Sequence, residues 1–431
     1  MSSQPLSPSA PQPLSLYIHW PFCASKCPYC DFNSHVRENI DEAAWLKAYL
    51  SEMEHWAARL GPRCLSTVFF GGGTPSLMNP KTVEKIIDKA VGLFGTGDQG
   101  LGTGYSPPSP QSLAPSPEIT LEANPTSSEA QKFRDLKSAG VNRLSLGVQA
   151  LDDAALTFLG RKHNTAEAVS AVAAAAQVFP RFSFDLIYAR KGQSVKDWEQ
   201  ELRRALPMAD GHLSLYQLTL EPGTGFAARA ALGEVFQAQE DEQIEMFEIT
   251  QSVMEQAGLP GYEISNHAKP GQECRHNLAY WQYGEWLGIG PGAHGRVWGS
   301  GTRDWGLEKE FPSQSLVPSP QSQCHAQTNI RAPEAWLKSV QTKGHGTESC
   351  IPLPAREAQE EALLMGLRLR QGLCKSRWQT RFGTPLDNFL DAGKKRALLA
   401  AGLIEEDAEY LRATPNGALK LNSVTAVLIA N

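Results

Sequence analysis

Residues 17–32, Tyr-Ile-His-Trp-Pro-Phe-Cys-Ala-Ser-Lys-Cys-Pro-Tyr-Cys-Asp-Phe, place three cysteines in one loop directly after a short apolar strand pattern. Cys23, Cys27 and Cys30 follow the spacing C-x3-C-x2-C. Three thiolates so close in sequence can hold one small metal centre, but they leave a four-ligand centre one protein ligand short. If the centre is a four-iron cluster, one iron stays open to a ligand that is not protein.

Other interpretations of this loop stay open. Asp31 or His35 could complete a four-ligand zinc site, or the thiols could be reduced and purely structural. A disulfide framework is disfavoured, because the loop holds an odd number of cysteines, the other five are scattered and nothing indicates secretion. The triplet favours a cluster over zinc, because it lacks the paired C-x2-C spacing of zinc ribbons.

Composition is that of an ordinary folded protein. The 431 residues are 41% hydrophobic and 20% charged, and 40 Lys and Arg stand against 46 Asp and Glu, for a net charge of −6. No basic field for nucleic-acid binding is predicted from this balance. The sequence has no apolar run of about 18 residues, so no transmembrane helix is expected. Residues 1–13 do not resemble a signal peptide; they are predicted to be a disordered lead-in to a cytoplasmic protein with reduced cysteines.

Strand and helix patterns alternate along the first half of the chain. Strands are predicted at 16–18, 67–70, 118–122, 143–149, 182–188 and 212–220, and helices at 41–60, 80–93, 127–139, 152–159, 165–178 and 195–206. Six such repeats indicate parallel strands with right-handed helical crossovers. Periodicity alone does not choose between an open sheet and a barrel.

The second half is less regular. A helix is predicted at 241–257, whereas 261–301 is too rich in Gly, Trp, Tyr and His for confident elements. Low-complexity composition predicts insertions at 95–117 and 311–325. Helices predicted at 355–369, 375–382 and 386–400 precede a β-hairpin, a pattern typical of winged helices. The acidic hairpin residues argue against DNA binding there.

Gly71-Gly72-Gly73-Thr74-Pro75 follows the strand at 67–70. Glycines expose backbone N–H and C=O groups, so the main chain itself can hold a ligand. A plain turn between strand and helix is the alternative. The stretch lacks G-x4-G-K-[ST], so it does not indicate a nucleotide phosphate loop.

Together, the cysteine loop and the glycine loop resemble those of the radical S-adenosylmethionine (SAM) superfamily. Tyr-Ile-His-Trp-Pro-Phe-Cys with Gly-Gly-Gly-Thr-Pro-Ser is more specifically similar to the branch of oxygen-independent coproporphyrinogen III oxidases and HemW-type haem chaperones. The resemblance implies an α/β fold, a partial (β/α)6 TIM-like barrel with ligands at the C-terminal strand ends. It also implies a small C-terminal helical, winged-helix-like domain. The domains are then 14–260 for the barrel, 261–345 for a linking region and 350–431 for the C-terminal domain.

Carried over residue by residue, the resemblance makes Cys23, Cys27 and Cys30 the ligands of a [4Fe-4S] cluster with SAM on the open iron. The matching SAM-side positions are Tyr17, Tyr29, Gly72, Gly73, Thr74, Glu122, Gln149, Arg161 and Asp185. Arg161 can pair bidentately with a carboxylate, and Asp185 can accept ribose hydroxyls. The alternatives are a solvated carboxylate at Glu122 and structural ion pairs at Arg161 and Asp185. Whether one or two SAM molecules bind is open.

Two features favour the chaperones over the oxidases. Phe32 stands where the oxidases carry a further cysteine, and His276-Asn277-Leu278-Ala279-Tyr280-Trp281 resembles the HNxxYW motif of the chaperones. A neutral imidazole is a common axial ligand of haem iron. His276 is therefore the predicted haem ligand, with Cys274 as second choice. The alternative is a hydrogen-bonded, structural histidine.

The resulting prediction is a chaperone that carries haem, a [4Fe-4S] cluster and SAM and passes haem to acceptor proteins, respiratory haemoproteins among them. Coproporphyrinogen turnover is not expected, although the oxidase remains the alternative. A tRNA-modifying radical SAM enzyme is disfavoured by the acidic charge balance. Contact with nucleic acid is not predicted, and peripheral contact with a membrane is left open.

Overall fold

The computed structural model describes residues 13–61, 63–95, 116–126, 130–299 and 323–430. Almost all of the predicted lead-in at 1–13 therefore lies outside the described residues, as does most of the predicted insertions at 95–117 and 311–325. Residues 323–325, the last three of the second predicted insertion, are described and begin a strand, so the insertion was predicted three residues too long.

Sixteen strands are described. They are β1 Pro13–Trp20, β2 Phe22–Cys23, β3 His35–Val36, β4 Cys64–Gly72, β5 Glu118–Ala123, β6 Arg143–Gln149, β7 Arg181–Tyr188, β8 His212–Gln217, β9 Asn266–Ala268, β10 Glu285–Ile289, β11 His294–Gly299, β12 Gln323–Asn329, β13 Thr347–Pro352, β14 Leu373–Cys374, β15 Ile404–Glu406 and β16 Tyr410–Ala413.

Helices follow most strands of the first half. The described α-helices are α1 Glu42–Leu60, α2 Pro80–Phe94, α3 Phe133–Ser138, α4 Asp153–Phe158, α5 Thr165–Val178, α6 Val195–Ala205, α7 Gly225–Ala230, α8 Glu240–Gln256, α9 Arg275–Trp281, α10 Pro333–Lys343, α11 Ala355–Gly366, α12 Lys375–Phe382, α13 Ala392–Ala400, α14 Pro415–Ala418 and α15 Leu421–Ile429. Short 3-10 turns lie at Pro75–Leu77, Leu206–Met208 and Leu386–Asn388. No described helix is both long and apolar enough to cross a membrane.

Six strands, β1, β4, β5, β6, β7 and β8, pair in this order and run parallel. Their sheet does not close on itself: β9 ends it beside β8, and β10 to β13 extend it beyond β1. Parallel strands place their C-terminal ends, and the loops that follow them, along one edge. The prediction of a partial (β/α)6 barrel is confirmed.

The prediction that 261–301 lacks confident elements is wrong, because this stretch contributes β9, α9, β10 and β11. All five residues of β10 are buried, so its sequence shows no alternation of apolar and polar residues. β10 pairs in parallel with β1 and brings β11 to β13 onto the same sheet. The barrel sheet therefore continues across the predicted boundary at residue 260.

At the C-terminal end, β15 and β16 form the predicted hairpin, and β14 joins it to make a three-stranded sheet. The chain then continues into α14 and α15, which the sequence analysis did not predict. The single helix predicted at 386–400 is also wrong, since Asp391 caps a new helix after the turn at Leu386–Asn388. A separate apolar core holds these elements together. The domain boundaries themselves stay a prediction.

The carboxylate of Glu52 ties the extended sheet to the barrel. It is fully buried on α1 and accepts hydrogen bonds from the backbone N–H groups of Gly290 (2.9 Å) and Gly346 (2.8 Å). Trp336 Nε1 (3.1 Å) and Asn329 Nδ2 (3.2 Å) donate to it as well. Burial nevertheless raises the pKa of Glu52 to about 7.

Glu52→Gln is expected to change how thermal stability depends on pH. Because the pKa of Glu52 in the folded protein lies above its value in the unfolded chain, folding retains a proton between about pH 4.5 and 7. The raised pKa of Glu52 therefore stabilises the folded protein fully below that range. As pH rises through the range, the free energy of unfolding falls by about 3 kcal/mol in all. Melting temperatures across this range should fall in the wild type relative to Glu52→Gln. Glu84 is exposed, so the melting temperature of Glu84→Gln should differ from that of the wild type by the same amount at every pH. The same pH-independent behaviour in Glu52→Gln would contradict the assignment.

Candidate functional site

The C-terminal ends of the parallel strands surround a cavity of about 460 Å³. The cysteine loop after β1, the glycine loop after β4 and the ends of β5 to β8 line it. All but one of the predicted cluster and SAM positions lie on its wall: Cys23, Cys27, Tyr29, Cys30, Gly72, Gly73, Thr74, Glu122, Gln149, Arg161 and Asp185.

The cysteine loop is framed by a short parallel pairing of β2 with β3. Its three cysteines are half-buried free thiols, and the backbone N–H of Cys30 donates to the carbonyl of Cys27 (3.2 Å). Burial raises the pKa of the Cys23 and Cys30 thiols. Metals bind the thiolate form, so a bound cation would have to compensate for this burial.

The set of donor atoms in the cysteine loop suits a cluster better than a single zinc ion. In the described part of the chain, no three His, Cys, Asp or Glu side chains converge to hold one metal ion. Zinc needs four ligands about 2.0 to 2.3 Å from one point, whereas in a four-iron cluster each cysteine sulfur binds a different iron. His35 is moreover hydrogen-bonded through Nε2 to Asn33 Oδ1 (3.2 Å). The cysteine triplet therefore fits an iron-sulfur cluster.

Arg161 joins the cysteine loop to the ends of two strands. Its Nη1 donates to Cys27 Sγ and to the Tyr29 hydroxyl, both at 3.4 Å. Its Nη2 donates to Asn124 Oδ1 (2.5 Å) and to the Gly147 carbonyl (2.8 Å). The described residues give Arg161 no carboxylate ion pair within 4.0 Å, so the structural ion pair considered from sequence is not what holds it.

Asn124 is a site residue that the sequence analysis missed. Its Nδ2 donates to Thr74 Oγ1 (3.1 Å), and Thr74 Oγ1 donates to Cys23 Sγ (3.5 Å). With Arg161, this chain of hydrogen bonds reaches two of the three cysteines. The available signal was its position in Leu-Glu-Ala-Asn-Pro, two residues beyond a predicted strand-end carboxylate.

The glycine loop lies close against the cysteine loop. Gly73 N–H donates to the Trp20 carbonyl (2.7 Å) and Thr74 N–H to that of Phe22 (2.8 Å). A Cβ on Gly73 would lie 2.5 Å from the Phe22 carbonyl oxygen, so only glycine fits there. This close approach, rather than a flexible turn, accounts for the glycine.

Two partly buried carboxyl groups, Glu122 and Asp185, face the cavity. Burial raises the pKa of Glu122 to about 8 and that of Asp185 to about 7, and the charge of Asp185 adds to the shift of Glu122. Glu122 Oε2 accepts from the backbone N–H of Gly72 (3.2 Å). Both groups would regain their ordinary ionisation beside a cation.

Acceptor atoms on this wall lack partners. Asp185 Oδ1 and Gln149 Oε1 are buried with no hydrogen-bond partner among the described residues. Gln149 also has a φ of 72°, a strained conformation of the kind that persists at ligand sites. An unsatisfied buried acceptor costs about 1 to 3 kcal/mol, so a ligand rich in donors fits this wall. SAM, with its ammonium and ribose hydroxyls, is such a ligand.

Tyr17 is the exception among the predicted SAM positions, since it does not line this cavity. It lies within β1, before the strand ends, and its hydroxyl is hydrogen-bonded to His19 Nδ1 (3.1 Å). It borders a second cavity of about 340 Å³, beside Phe32 and Tyr280. Tyr17 nevertheless lies close to the other SAM positions, because its ring packs against Gly71 and its hydroxyl interacts electrostatically with Glu122.

His276 is 2% exposed. Its Nδ1 is hydrogen-bonded to Thr67 Oγ1 (2.7 Å), its Nε2 to the Tyr280 hydroxyl (3.1 Å), and its ring stacks on Phe69. Burial lowers the pKa of His276 to about 3, so the ring is neutral. Cys274 is buried too, with Sγ 3.7 Å from Glu118 Oε1. Neither predicted haem ligand offers a free atom to iron in this conformation.

Comparison with known proteins identifies two sequence families. A profile described as the radical SAM superfamily matches residues 17–205, and one described as the HemN C-terminal domain matches residues 353–419. The chain is 33% identical to the protein named "Heme chaperone HemW" from Escherichia coli, over 97% of this chain and 98% of that one. It is 38% identical to the mouse "Radical S-adenosyl methionine domain-containing protein 1, mitochondrial", over 99% of this chain and 90% of that one.

Among solved structures, the coproporphyrinogen III oxidase HemN from Escherichia coli is similar with a TM-score of 0.74. The match covers 97% of this chain and 91% of that one at 20% sequence identity. At this identity the likeness concerns the fold, which agrees with the parallel sheet and the small C-terminal unit.

Proposed function

We propose that the chain binds haem and passes it to an acceptor protein, because it belongs to the radical SAM superfamily and, within it, to the family of the haem chaperone HemW. The observation that carries this proposal is the similarity to a haem chaperone along almost the whole of both chains. Phe32, where the oxidases carry a further cysteine, supports the same choice.

The cavity at the strand ends is the proposed site of a [4Fe-4S] cluster on Cys23, Cys27 and Cys30, with SAM on the open iron. When bound, this pair would supply radical, one-electron chemistry. Arg161 and Thr74 donate to two of the cysteine sulfurs and so stabilise their negative charge. Gly72 and Gly73 bring main-chain groups to the same wall.

The chain's own residues would orient SAM through charge and hydrogen bonding. Glu122 and Asp185 lie where a ligand with a sulfonium and an ammonium group finds negative partners. Gln149 Oε1 offers a free acceptor. Arg161, on the same wall, would be the cation available to the SAM carboxylate.

SAM affinity is expected to rise with pH between about 6 and 8. Raised pKa values leave Glu122 and Asp185 largely protonated in the free protein at the lower end of this range. A cationic ligand binds the ionised forms better, so binding releases protons and strengthens by up to about tenfold per pH unit for each of the two groups. Anaerobic calorimetry in buffers of different ionisation enthalpy measures this release. Glu122→Gln should reduce the slope to the contribution of Asp185, and a flat profile in the wild type would contradict the assignment.

The second candidate function is oxidative decarboxylation of coproporphyrinogen III, which the fold of HemN favours. Haem titration of the reconstituted protein, run beside an assay for protoporphyrinogen with SAM and a reductant, separates the two functions. The chaperone proposal expects about one haem bound per chain and no protoporphyrinogen. Protoporphyrinogen formation without specific haem uptake would overturn it.

The proposal extends to the acceptor and the compartment. Respiratory haemoproteins are the proposed acceptors, and a cytoplasmic location is proposed from the reduced cysteines. The mouse relative is named mitochondrial, which is likewise a reducing setting for an iron-sulfur protein.

A further inference from the structure

Asn124 lies between the two side chains that donate hydrogen bonds to the cysteine sulfurs. Its Oδ1 accepts from Arg161 Nη2 (2.5 Å), and its Nδ2 donates to Thr74 Oγ1 (3.1 Å). Arg161 Nη1 in turn donates to Cys27 Sγ (3.4 Å), and Thr74 Oγ1 donates to Cys23 Sγ (3.5 Å). One amide therefore connects the donors that face two of the three proposed cluster ligands.

The direction of each hydrogen bond in this chain follows from the chemistry of the groups. A guanidinium has only donors, so the amide oxygen of Asn124 must face Arg161 and its NH2 group must face Thr74. The Thr74 hydroxyl accepts from that NH2 group, which directs its own hydrogen toward Cys23 Sγ. A carboxylate at position 124 could not donate to Thr74, and an apolar side chain could make neither hydrogen bond.

The backbone around Asn124 suits the task of holding its amide in one place. Asn124 directly follows β5 and precedes Pro125, and a residue before proline is biased toward extended conformations. Arg161 Nη2 also donates to the Gly147 carbonyl (2.8 Å) on β6. A Cβ on Gly147 would lie 3.3 Å from Arg161 Nη2, so the missing side chain leaves room for the guanidinium. The ends of two neighbouring strands thus position the amide and the guanidinium.

Hydrogen bonds to the sulfurs of an iron-sulfur cluster change its reduction potential. Reduction adds one negative charge to the cluster and its thiolates. A donor that faces a sulfur therefore stabilises the reduced state more than the oxidised state, and a charged donor does so more strongly. Arg161 is such a charged donor at Cys27, and the Thr74 hydroxyl is a neutral one at Cys23. Both donors are expected to raise the potential.

We propose that Asn124 is a positioning residue that raises the reduction potential of the cluster. It does so by holding Arg161 and Thr74 against two of the sulfur ligands. The inference rests on the proposed [4Fe-4S] site and concerns how readily the cluster accepts an electron. The couple is a one-electron reduction in which an external reductant such as dithionite supplies the electron, and no bond forms or breaks.

The test is a redox titration of the full, reconstituted chain without SAM, followed by electron paramagnetic resonance of the reduced cluster. Leaving SAM out separates the potential from any effect of Arg161 on SAM binding. Asn124→Leu keeps a side chain of similar size but loses both hydrogen bonds, and it should retain about four irons per chain. At a fixed potential its ratio of reduced to oxidised cluster should fall about tenfold, which is about 59 mV for a one-electron couple.

Thr74 offers a matched pair of variants. Thr74→Val removes the hydroxyl at nearly constant shape and should lower the same ratio about threefold, because only the neutral donor is lost. Thr74→Ser keeps the hydroxyl and should retain the wild-type potential. Asn388→Leu, at an exposed asparagine in the C-terminal unit, should also match the wild type.

Wild-type potentials in Asn124→Leu and Thr74→Val, at full iron content, would overturn the inference alone. An equal shift in Thr74→Ser and Thr74→Val would overturn it too, because the hydroxyl would then not be the cause. Should Asn124→Leu take up less iron, Asn124→Asp replaces it: this variant keeps the acceptor for Arg161 and loses the donor to Thr74, so an unshifted potential would overturn the inference. A wild type that takes up no cluster would overturn the proposed function as well, so the two failures are distinguishable.

Discussion

Cys27→Ser is expected to leave less than about one iron per chain after anaerobic reconstitution, where the wild type should take up about four. Cys27 lies in the middle of the triplet, and two remaining thiolates cannot hold a cluster that already lacks a fourth protein ligand. Arg161 Nη1, 3.4 Å from Cys27 Sγ, would also lose the anion that it stabilises. Iron and sulfide analysis with the visible charge-transfer absorbance measures the loss.

Cys374→Ser is the matched control for this prediction. Cys374 is a partly buried free thiol in the C-terminal unit, away from the cavity. The Cys374→Ser variant should take up as much iron as the wild type. Equal iron content in Cys27→Ser and the wild type would contradict the ligand assignment, and a similar loss in both variants would indicate a general effect on folding.

Arg161→Ala is expected to weaken SAM binding by about 100-fold, because the change removes the cation proposed to face the SAM carboxylate. The guanidinium also links Tyr29, Asn124 and Gly147, so its removal loosens the wall on which SAM lies. Arg161→Lys keeps the charge but cannot make all of these hydrogen bonds at once. Its SAM affinity should therefore lie between those of the wild type and Arg161→Ala. Anaerobic calorimetry on samples of matched iron content measures the affinities.

Arg203→Ala provides the control, because Arg203 is an exposed arginine on α6 that pairs with Glu199. Its SAM affinity should equal that of the wild type. A change of less than about threefold in Arg161→Ala would remove Arg161 from the SAM site, since charge-assisted bonds in buried sites exceed that value.

Regular periodicity explains which elements the sequence predicted well. The bounds of β6, α5 and α12 match their predictions. β6 alternates apolar and polar residues, Asn164 caps α5, and Gly383 ends α12. β10 escaped prediction because it is buried at every position and pairs with β1, far away in sequence. Local patterns carry no information about such long-range pairing.

The residues of the candidate site likewise divide into those with a local sequence signal and those whose role depends on contacts between distant segments. Short spacings such as C-x3-C-x2-C and the glycine triplet are visible in the sequence, and the structure places both on one cavity. Asn124 was missed because its role depends on which strand ends meet in space. Tyr17 and His276 were assigned mainly by resemblance, and the structure places Tyr17 on the second cavity with His276 beside it.

The chaperone account is tested most directly by following haem from this protein to an acceptor. The reconstituted chain, loaded with haem and separated from free haem, is mixed with an apo-haemoprotein, and the spectra of both are recorded over time. The account predicts that about one haem per chain is bound and then appears in the acceptor faster than from free haem at equal concentration. Haem that stays bound, or that reaches the acceptor no faster than free haem does, would contradict it.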